Sequence, residues 1–413
     1  MLSLDADTVI VGGGPAGITT AIALARAARR LVAKILVLEA DVYPRDKYCA
    51  GALGGRGLTI LEELDAVPEV PWVSIDGMSF RAEGGEAVAR VGGIGRVIRR
   101  VEFDHALAQI AVRLGVRVVQ GARVTSIEER DGGAVLETTQ GTVRARAVVG
   151  ADGVGSVVRK AMGLGRGKLG AQVLEVDTDP VASDRPRDLL HFDASDRRFS
   201  GYCWDFPTNV GGRELVCRGI YHLKLDKHEV DIRALLDERL RAMGLDVRAY
   251  KNKRFAERGF ELGGEVARGR MMLVGEAAGI DPITGEGIAQ AIEYGAMAGR
   301  FLAGVMDRGE RVETWGKVVR GSHLAKDLSI RARALGTLYG EDRPRMERFI
   351  TGDPDALYAG CQYFGAKDVD KGRLIKALFR GGLALLDVKW RRSTSAAVKA
   401  VSSGPRRPPR DRR

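Results

Sequence analysis

The feature that most constrains this chain is a glycine-rich turn, GGGPAG, which lies near the N-terminus between a short apolar segment and a helical one. Residues 7–12 have the pattern of a buried strand, and residues 15–30 that of a helix with proline in its first turn. Residues 34–39 have the pattern of a second strand. This strand–helix–strand order predicts an α/β fold with a doubly wound nucleotide-binding sheet.

Three glycines of the turn have separate physical roles. Gly12 permits the tight turn, Gly14 lets backbone N–H groups approach a pyrophosphate, and Gly17 lets the helix pack closely on the strand. Glu39 lies 22 residues beyond Gly17 and can accept hydrogen bonds from ribose hydroxyls. Glycine-rich turns also occur by chance, but the strand, the helix and the acid together predict a dinucleotide site.

The charge of the chain is concentrated at its C-terminus. The formal net charge is +11, and residues 367–413 contain 14 Lys/Arg against 4 Asp/Glu. The rest of the chain is therefore nearly neutral and offers no broad electrostatic footprint for nucleic acid. Glycine is the other outlier, with 54 residues of 413, which indicates many tight turns or close backbone approaches.

Neither the cysteines nor the histidines indicate a metal site or a disulfide framework. The four cysteines include no CxxC pair, and the five histidines show no ligand spacing. The N-terminus lacks the basic region, apolar stretch and cleavage site of a signal peptide. The longest uncharged stretch, residues 8–25, is interrupted by glycines and a proline, so a membrane-spanning helix is a poor interpretation. We therefore expect a cytoplasmic protein.

Two later segments indicate which dinucleotide is bound. Residues 148–159 (VVGADGVGSVVR) place Asp152 and Gly153 after a strand, and residues 273–287 (LVGEAAGIDPITGEG) run from a strand through a loop into a helix. With the N-terminal turn, these segments resemble the flavin fingerprint, the DG motif and the GD motif of the group A flavin monooxygenase superfamily, which has the p-hydroxybenzoate hydroxylase fold. The resemblance covers residues 5–305 and implies FAD as the cofactor.

Two further strings resemble the geranylgeranyl reductase family within that superfamily. Residues 44–51 (PRDKYCAG) are similar to its PRxKxCGG stretch, and residues 201–207 (GYCWDFP) to its YxWxFP strand. Arg100 occupies the place of the family's flavin-contacting arginine. Glu276 stands where the GD motif has aspartate, and Ala50 stands where the family often has glycine. Because glutamate is one methylene longer than aspartate, the cofactor pocket is expected to be slightly wider here.

The resemblance and the hydrophobic periodicity together predict a Rossmann-like FAD-binding domain, an inserted antiparallel β-sheet substrate domain and a helical C-terminal region. The FAD-binding domain is expected to be split among three separate segments of the chain. We predict FAD-binding segments at 1–75, 99–168 and 265–310, substrate-domain strands at 76–98, the antiparallel-sheet substrate domain at 169–264, the helical region at 311–400 and a disordered basic tail at 401–413.

The resemblance also implies the site residues. The catalytic residues are expected to be Cys49, Tyr202 and Trp204, and the substrate-binding residues Tyr202, Trp204 and Phe206. No metal ligand is expected. The expected cofactor-binding residues are Gly12, Gly14, Pro15, Ala16, Gly17, Glu39, Arg45, Cys49, Ala50, Arg100, Val124, Asp152, Gly153, Gly275, Glu276, Pro282, Gly285, Gly287 and Ile288.

Three of these assignments have a simpler structural alternative. The loop 282–287 precedes a helix, so its backbone N–H groups can face the flavin N1/O2 edge and stabilise the reduced ring, or the helix is simply capped by Thr284. Cys49 can protonate a carbon or gate access, or it is a small buried apolar residue. Tyr202, Trp204 and Phe206 alternate along one strand and either line the substrate cavity or form the core of the sheet.

The leading functional hypothesis is an FAD enzyme that reduces carbon–carbon double bonds of a prenyl chain or another apolar substrate. The alternative is a monooxygenase of the same fold that hydroxylates or epoxidises an apolar natural product or quinone. A halogenase fits less well because the strand resembles YxWxFP rather than WxWxIP. A non-redox prenyl carrier would not explain the complete flavin motifs.

The partners are less constrained by the sequence. There is no second GxGxxG motif after a strand, so the reductant is expected to be NAD(P)H that docks transiently or a ferredoxin-like protein. Residues 372–392 place apolar residues on one helical face with basic residues at its rim. This face either packs on the flavin domain or contacts an anionic membrane peripherally, at the inner membrane face.

Overall fold

The computed structural model describes residues 4–130, 132–225 and 229–368, together with residues 372, 373, 375, 376 and 380. The predicted tail at 401–413 and most of the predicted amphipathic segment 372–392 lie outside the described residues.

The described residues form two β-sheets and a set of helices. The strands are β1 Leu4–Val11, β2 Ile35–Leu38, β3 Ala52–Gly54, β4 Trp72–Ala82, β5 Gly85–Ile98, β6 Arg117–Val119, β7 Val124–Arg130, β8 Gly133–Thr138, β9 Gly141–Gly150, β10 Gly170–Thr178, β11 Leu189–Asp193, β12 Gly201–Val210, β13 Arg213–Leu223, β14 Lys253–Arg258, β15 Ala267–Arg268 and β16 Met271–Leu273. The helices are α1 Pro15–Ala27, α2 Gly55–Glu63, α3 Arg100–Arg113, α4 Val157–Ala161, α5 Ile232–Ala242, α6 Ile288–Arg308, α7 Trp315–Gly321, α8 His323–Tyr339, α9 Arg343–Gly352 and α10 Pro354–Phe364.

The first sheet contains the predicted strand–helix–strand unit. β1 lies between β9 and β2 and runs parallel to both, and β16 and β6 extend the sheet on the two sides. The hairpin of β7 and β8 joins this sheet through an antiparallel pairing of β8 with β9. Val9, Ile10, Leu36 and Val37 are fully buried, as expected where a parallel sheet is covered on its faces. The Rossmann-like part of the predicted fold is confirmed.

The second sheet has the strand order β14-β10-β13-β12-β11-β4-β5-β3. Its pairs are antiparallel apart from β11, which runs parallel to β4. This parallel pair is possible because the chain between β5 and β10 crosses the first sheet before it returns, whereas a tight hairpin would force an antiparallel pair. The inserted sheet predicted from the alternating pattern is therefore present, with one parallel pair that the pattern did not show.

Side chains on the two faces of the second sheet belong to different apolar clusters. Leu174 and Ile220 pack on one face with Leu236 of α5. Their neighbours Val173 and Tyr221 point to the opposite face and belong to a cluster that includes aromatic residues of β12. Successive residues of a strand point to opposite faces, so one face of this sheet is closed by α5 and the other faces the rest of the molecule.

Helices α1 and α6 pack side by side at backbone distance. A Cβ atom placed on Gly295 would lie 2.6 Å from the Ala16 carbonyl oxygen, and one on Gly299 would lie 2.5 Å from the Ala23 Cβ. The contacts advance in the same direction along both helices, so the two helices run parallel. Glycine is required at both positions because any larger residue would force the helices apart. Their N-termini consequently lie at the same end of the helix pair.

The C-terminal region is helical, as predicted, and begins with a residue that fixes it to the first sheet. Trp315 of α7 is fully buried, and its Nε1 donates to the Leu273 carbonyl of β16 at 2.9 Å. The helices α8, α9 and α10 follow, separated at the proline-containing breaks that the sequence indicates. No helix in the part of the chain that the structure describes is long and apolar enough to cross a bilayer.

Two glycine substitutions, one where α6 packs on α1 and one on the exposed surface of α8, should have opposite effects on the stability of the fold. Gly299→Ala should destabilise the fold by about 1–3 kcal/mol, because its Cβ would meet the backbone of α1. Gly336→Ala, at an exposed position of α8 with no atom within 4 Å of the new Cβ, should stabilise it by up to about 1 kcal/mol. Chemical denaturation measures both. Equal stabilities would show that the two helices do not require the glycine contact.

Candidate active site

The glycine turn has the geometry of a backbone cradle. Gly12 has a φ of +104°, and a Cβ atom there would lie 2.4 Å from the Ala151 carbonyl oxygen. A Cβ on Gly17 would lie 2.0 Å from the Gly12 carbonyl oxygen. A Cβ on Gly14, in contrast, would meet only the Arg100 guanidinium, at 3.6 Å. Gly12 and Gly17 are thus needed by the fold itself, whereas the space above Gly14 opens into the cavity described below.

Glu39 lies directly after β2 and is fixed by several donors. Its Oε2 accepts hydrogen bonds from the Gly13 amide at 2.8 Å and from Arg45 at 3.1 Å. Arg45 also reaches Asp104, at 3.0 Å, and Asp104 pairs with Arg100 at 2.6 Å. This chain of alternating charges connects the end of β2, the loop 44–51 and the start of α3. It places Arg45 and Arg100 on the same side as the glycine turn.

One carboxylate oxygen of Asp152 accepts hydrogen bonds, and the other has no hydrogen-bond partner among the described residues. Oδ2 accepts from the Val157 amide at 2.7 Å and from the Val158 amide at 3.2 Å. Oδ1 is buried and finds no partner among the described residues. Burial raises the pKa of this carboxyl group above its ordinary value. A buried polar atom without a partner costs about 1–3 kcal/mol, so this oxygen is suited to a bound ligand.

Helix α6 begins at Ile288, and the residue at its N-cap position is Gly287. No described side chain caps this end, and the Thr284 hydroxyl instead contacts Asp281. The alternative of a Thr284-capped helix is therefore wrong, because the helix starts three residues too late for it. Helix α1 also begins without a side-chain cap, after Gly14. Two neighbouring helices thus present uncapped amides and the positive ends of their dipoles.

The loop before α6 is fixed by three tyrosine hydroxyls. Each hydroxyl donates to a different carbonyl of this loop, and the three tyrosines come from β12, β13 and α8. Tyr202 and Tyr221 are also stacked on each other, with ring centroids 5.3 Å apart. The donors are Tyr221 to Pro282 at 3.3 Å, Tyr339 to Ile283 at 2.8 Å, and Tyr202 to Thr284.

One cavity of about 960 Å³ connects these features. It extends from the glycine turn, past the loop 44–51, to the aromatic face of the second sheet and the C-terminal helices. Sixteen of the predicted cofactor-binding residues line it; the exceptions are Gly17, Gly275 and Pro282, which lie behind the wall. No group of three or more metal-ligating side chains occurs in the described ranges.

The aromatic residues of β12 line a cavity and also belong to the core of the sheet, so these two positions do not exclude each other. Tyr202, Trp204 and Phe206 line the cavity and are also buried members of the apolar cluster of the second sheet. Phe192 of β11 packs edge-on against Tyr202 and Phe206, with centroid distances of 5.3 and 5.2 Å. The wall of the cavity at this end is thus the aromatic core face of the second sheet.

Cys49 lies on the cavity wall in the loop 44–51. Its amide donates to Glu175 of β10 at 3.0 Å, and its Sγ accepts from the Gly51 amide at 3.4 Å. Burial raises the pKa of the thiol, so Cys49 is neutral at neutral pH. Burial also raises the pKa of Glu175 to about 7. The thiol is therefore suited to hold a proton rather than to act as a nucleophile.

Several lining residues were not predicted from the sequence. The C-terminal helices close the cavity with apolar side chains and one ion-pair network, in which Arg331 contacts Asp281, Glu286 at 3.6 Å and Asp327 at 3.2 Å. Tyr221 could be found once β12 and β13 are paired, because it then lies opposite Tyr202. The lining residues of the C-terminal helices have no comparable signal. They are Leu338, Tyr339, Met346, Ile350, Ala356, Leu357, Tyr363 and Phe364.

Comparisons with known proteins agree with this geometry. The family model described as FAD binding domain matches residues 5–314. The chain is 27% identical over 363 residues to the menaquinone reductase of Mycobacterium tuberculosis, covering 79% of this chain and 83% of that protein. It is 30% identical over 327 residues to digeranylgeranylglycerophospholipid reductase 2 of Methanopyrus kandleri, covering 73% of this chain and 77% of that protein.

A solved structure extends the fold comparison to nearly the whole chain. The geranylgeranyl bacteriochlorophyll reductase-like protein of Thermoplasma acidophilum superposes with a TM-score of 0.65 at 19% identity, over 91% of this chain and 96% of that one. At this identity the match shows the fold alone. The family model and the relatives above show that the chain is an FAD-dependent oxidoreductase that belongs to the FAD-binding-domain family and, within it, to the geranylgeranyl reductase family.

Proposed function

We propose that this oxidoreductase reduces carbon–carbon double bonds of an isoprenoid or another apolar substrate. The observation that carries the proposal is the continuity of one cavity from the glycine turn to a chamber walled by aromatic and aliphatic side chains. The relatives are named as reductases, one of menaquinone and one of digeranylgeranylglycerophospholipid, which agrees with a large apolar substrate.

The residues at one end of the cavity fit FAD. The cradle above Gly14 and the uncapped start of α1 suit a pyrophosphate, and Glu39 suits a ribose. The buried Oδ1 of Asp152 lacks a partner that a cofactor hydroxyl would provide. The amides at the start of α6 suit the electron-rich edge of the ring system. Bound FAD, once reduced, would supply the hydride.

The residues at the other end position the substrate and exclude water. An isolated alkene is a poor hydride acceptor, so it must be held close to the cofactor in a dry site. Tyr202, Trp204 and Phe206 form a rigid apolar wall for this purpose. Cys49 lies between the two ends, where its neutral thiol protonates a substrate carbon or controls access. The reductant is NAD(P)H that docks transiently or a ferredoxin-like protein.

Gly14→Val should remove FAD without unfolding the protein. A Cβ atom at this position meets only the Arg100 guanidinium, at 3.6 Å, so the fold tolerates the branch point, and the side chain would extend into the space required by the pyrophosphate. The purified variant should be colourless, with an unchanged far-UV circular dichroism spectrum, whereas Gly336→Ala should remain yellow. A folded Gly14→Val protein with a full complement of flavin would contradict the assignment of the turn.

Anaerobic reduction of prenyl lipids tests the reaction type. Chemically reduced protein, mixed with a geranylgeranyl lipid in the absence of oxygen, should yield a product that has gained two hydrogen atoms per double bond. Mass spectrometry identifies this product. A product that contains a new oxygen atom, formed only when oxygen is admitted, would identify a monooxygenase instead.

A chamber-filling variant shows whether the substrate occupies the apolar end. Leu357 of α10 lines the cavity, and Leu357→Trp should lower the turnover of the long lipid by about 100-fold through misplacement, while the flavin content stays unchanged. Leu357→Met, which conserves volume, is the control and should retain nearly full turnover. An equal loss in both variants would point to general damage of the fold.

We also propose peripheral contact with an anionic membrane through the basic C-terminus. A prenyl lipid must be taken from a bilayer, and each Lys or Arg near an anionic surface contributes about 1 kcal/mol. The protein should co-sediment with anionic but not zwitterionic liposomes, less so at high salt and after deletion of residues 372–413. Equal sedimentation with both liposome types, or none at low salt, would remove this role.

A further inference from the structure

Glu257 is a buried carboxyl group in the cavity that none of the predicted roles uses. It lies near the end of β14, paired with Ala171 of β10, and it lines the cavity. Its Oε2 is shielded from solvent and has no hydrogen-bond partner within the described part of the chain. A Cβ atom placed on Gly285 would lie 2.6 Å from this oxygen, so the carboxyl group sits against the loop before α6.

No cation among the described residues forms an ion pair with Glu257. Lys47 is the nearby cation, but it is partly exposed and its ammonium lies 4.0 Å from Glu276 instead. Burial raises the pKa of Glu257 well above its ordinary value, and the carboxylate of Glu276 adds to the shift. The ionisable groups that surround it come from five elements; they are Lys47, Cys49, Glu175, Tyr202, Tyr221, Glu276 and Asp281.

A neutral carboxyl group has an O–H donor, and Oε2 of Glu257 meets no acceptor in the part of the chain that the structure describes. Leaving it unpaired is costly in a buried site, so a bound molecule is the natural acceptor. The position matters for the reaction, because the group faces the stretch of cavity between the start of α6 and the stacked Tyr202 and Tyr221 rings. This is where the cofactor end of the cavity meets the apolar end.

We propose that Glu257 is the catalytic acid of this site, and that its proton completes the reduction begun by the hydride. The inference rests on the proposed alkene reduction. As the π bond of the alkene opens, one carbon would take the hydride that bound reduced flavin supplies, and the other takes the proton of Glu257. The alkene would thereby gain two electrons from the flavin, NAD(P)H or two one-electron transfers from a ferredoxin-like protein would restore them, and Glu257 regains a proton from water. Cys49 then controls access rather than proton delivery.

The activity experiment compares Glu257→Gln, Glu257→Asp and Glu265→Gln, the last removing a surface carboxylate that pairs with Arg268. Glu257→Gln should keep its flavin but lose about 100-fold or more in the rate of anaerobic alkene reduction, because an amide cannot supply the proton. Glu257→Asp should recover part of the rate, and Glu265→Gln should match the wild type. A wild-type rate in Glu257→Gln overturns the proposal.

The pH dependence separates a proton donor from a merely structural residue. The wild-type rate should fall as rising pH removes the proton of Glu257, and this alkaline limb should be absent from Glu257→Gln but present in Cys49→Ala. A limb that persists in Glu257→Gln and disappears in Cys49→Ala would assign the proton to Cys49 and overturn the proposal.

Thermal unfolding of the flavin-free protein gives a readout that does not depend on activity. The folded state holds the Glu257 proton in a pH range where the unfolded chain, with a pKa of 4.5, has lost it. The contribution of Glu257 to wild-type stability therefore decreases as pH rises above 4.5, and Glu257→Gln lacks this decrease. The melting temperature of Glu257→Gln relative to wild type should rise with pH. A constant difference would show that Glu257 is not held neutral, even if the protein proved to reduce no alkene.

Discussion

The site depends on the parallel packing of α1 and α6. Gly295 and Gly299 let the two helices touch at backbone distance, and the parallel direction brings their N-termini together. Parallel helix dipoles repel each other, and neither positive end is capped by a described side chain. The arrangement becomes favourable when negative charge lies between the helix ends. An anionic pyrophosphate and an electron-rich ring meet that requirement, which connects the glycine content of the helices to the choice of cofactor.

The second sheet completes the site because successive residues of its strands point to opposite faces. One face of β12 and β13 packs on α5, so the aromatic residues of the other face are directed at the loop before α6. Tyr202 and Tyr221 then do two things at once: their rings form part of the apolar wall, and their hydroxyls hold the carbonyls of that loop. The loop is held further by Asp281, whose carboxylate accepts from the Ile283 amide at 2.8 Å and from the Thr284 amide at 3.3 Å.

The sequence predicted the parts of the site that are local in the chain. The turn at Gly12–Gly17, the position of Asp152 and the loop 282–287 each follow from a strand, a helix and a few small residues in between. Thr284 misled because its spacing suits a cap, while the helix actually starts at Ile288. Tyr339 and Leu357 lacked any signal, since they reach the cavity through the packing of three consecutive helices whose periodicity does not tell which face meets the sheet.

The role of the buried carboxyl group of Glu257 could not be predicted from a sequence motif either. Glu257 is one acidic residue among many in the sequence, and its significance depends on the absence of a partner, which only the arrangement of five surrounding elements decides. Asp152 Oδ1 lies at the cofactor end of the cavity and Glu257 Oε2 lies where that end meets the apolar end; both are buried, and neither has a hydrogen-bond partner among the described residues. Leaving a buried polar atom unpaired costs about 1–3 kcal/mol, so a ligand that pairs with these oxygens is favoured over one that covers them with apolar groups. Such a ligand binds the folded state and not the unfolded chain, and therefore also stabilises the fold.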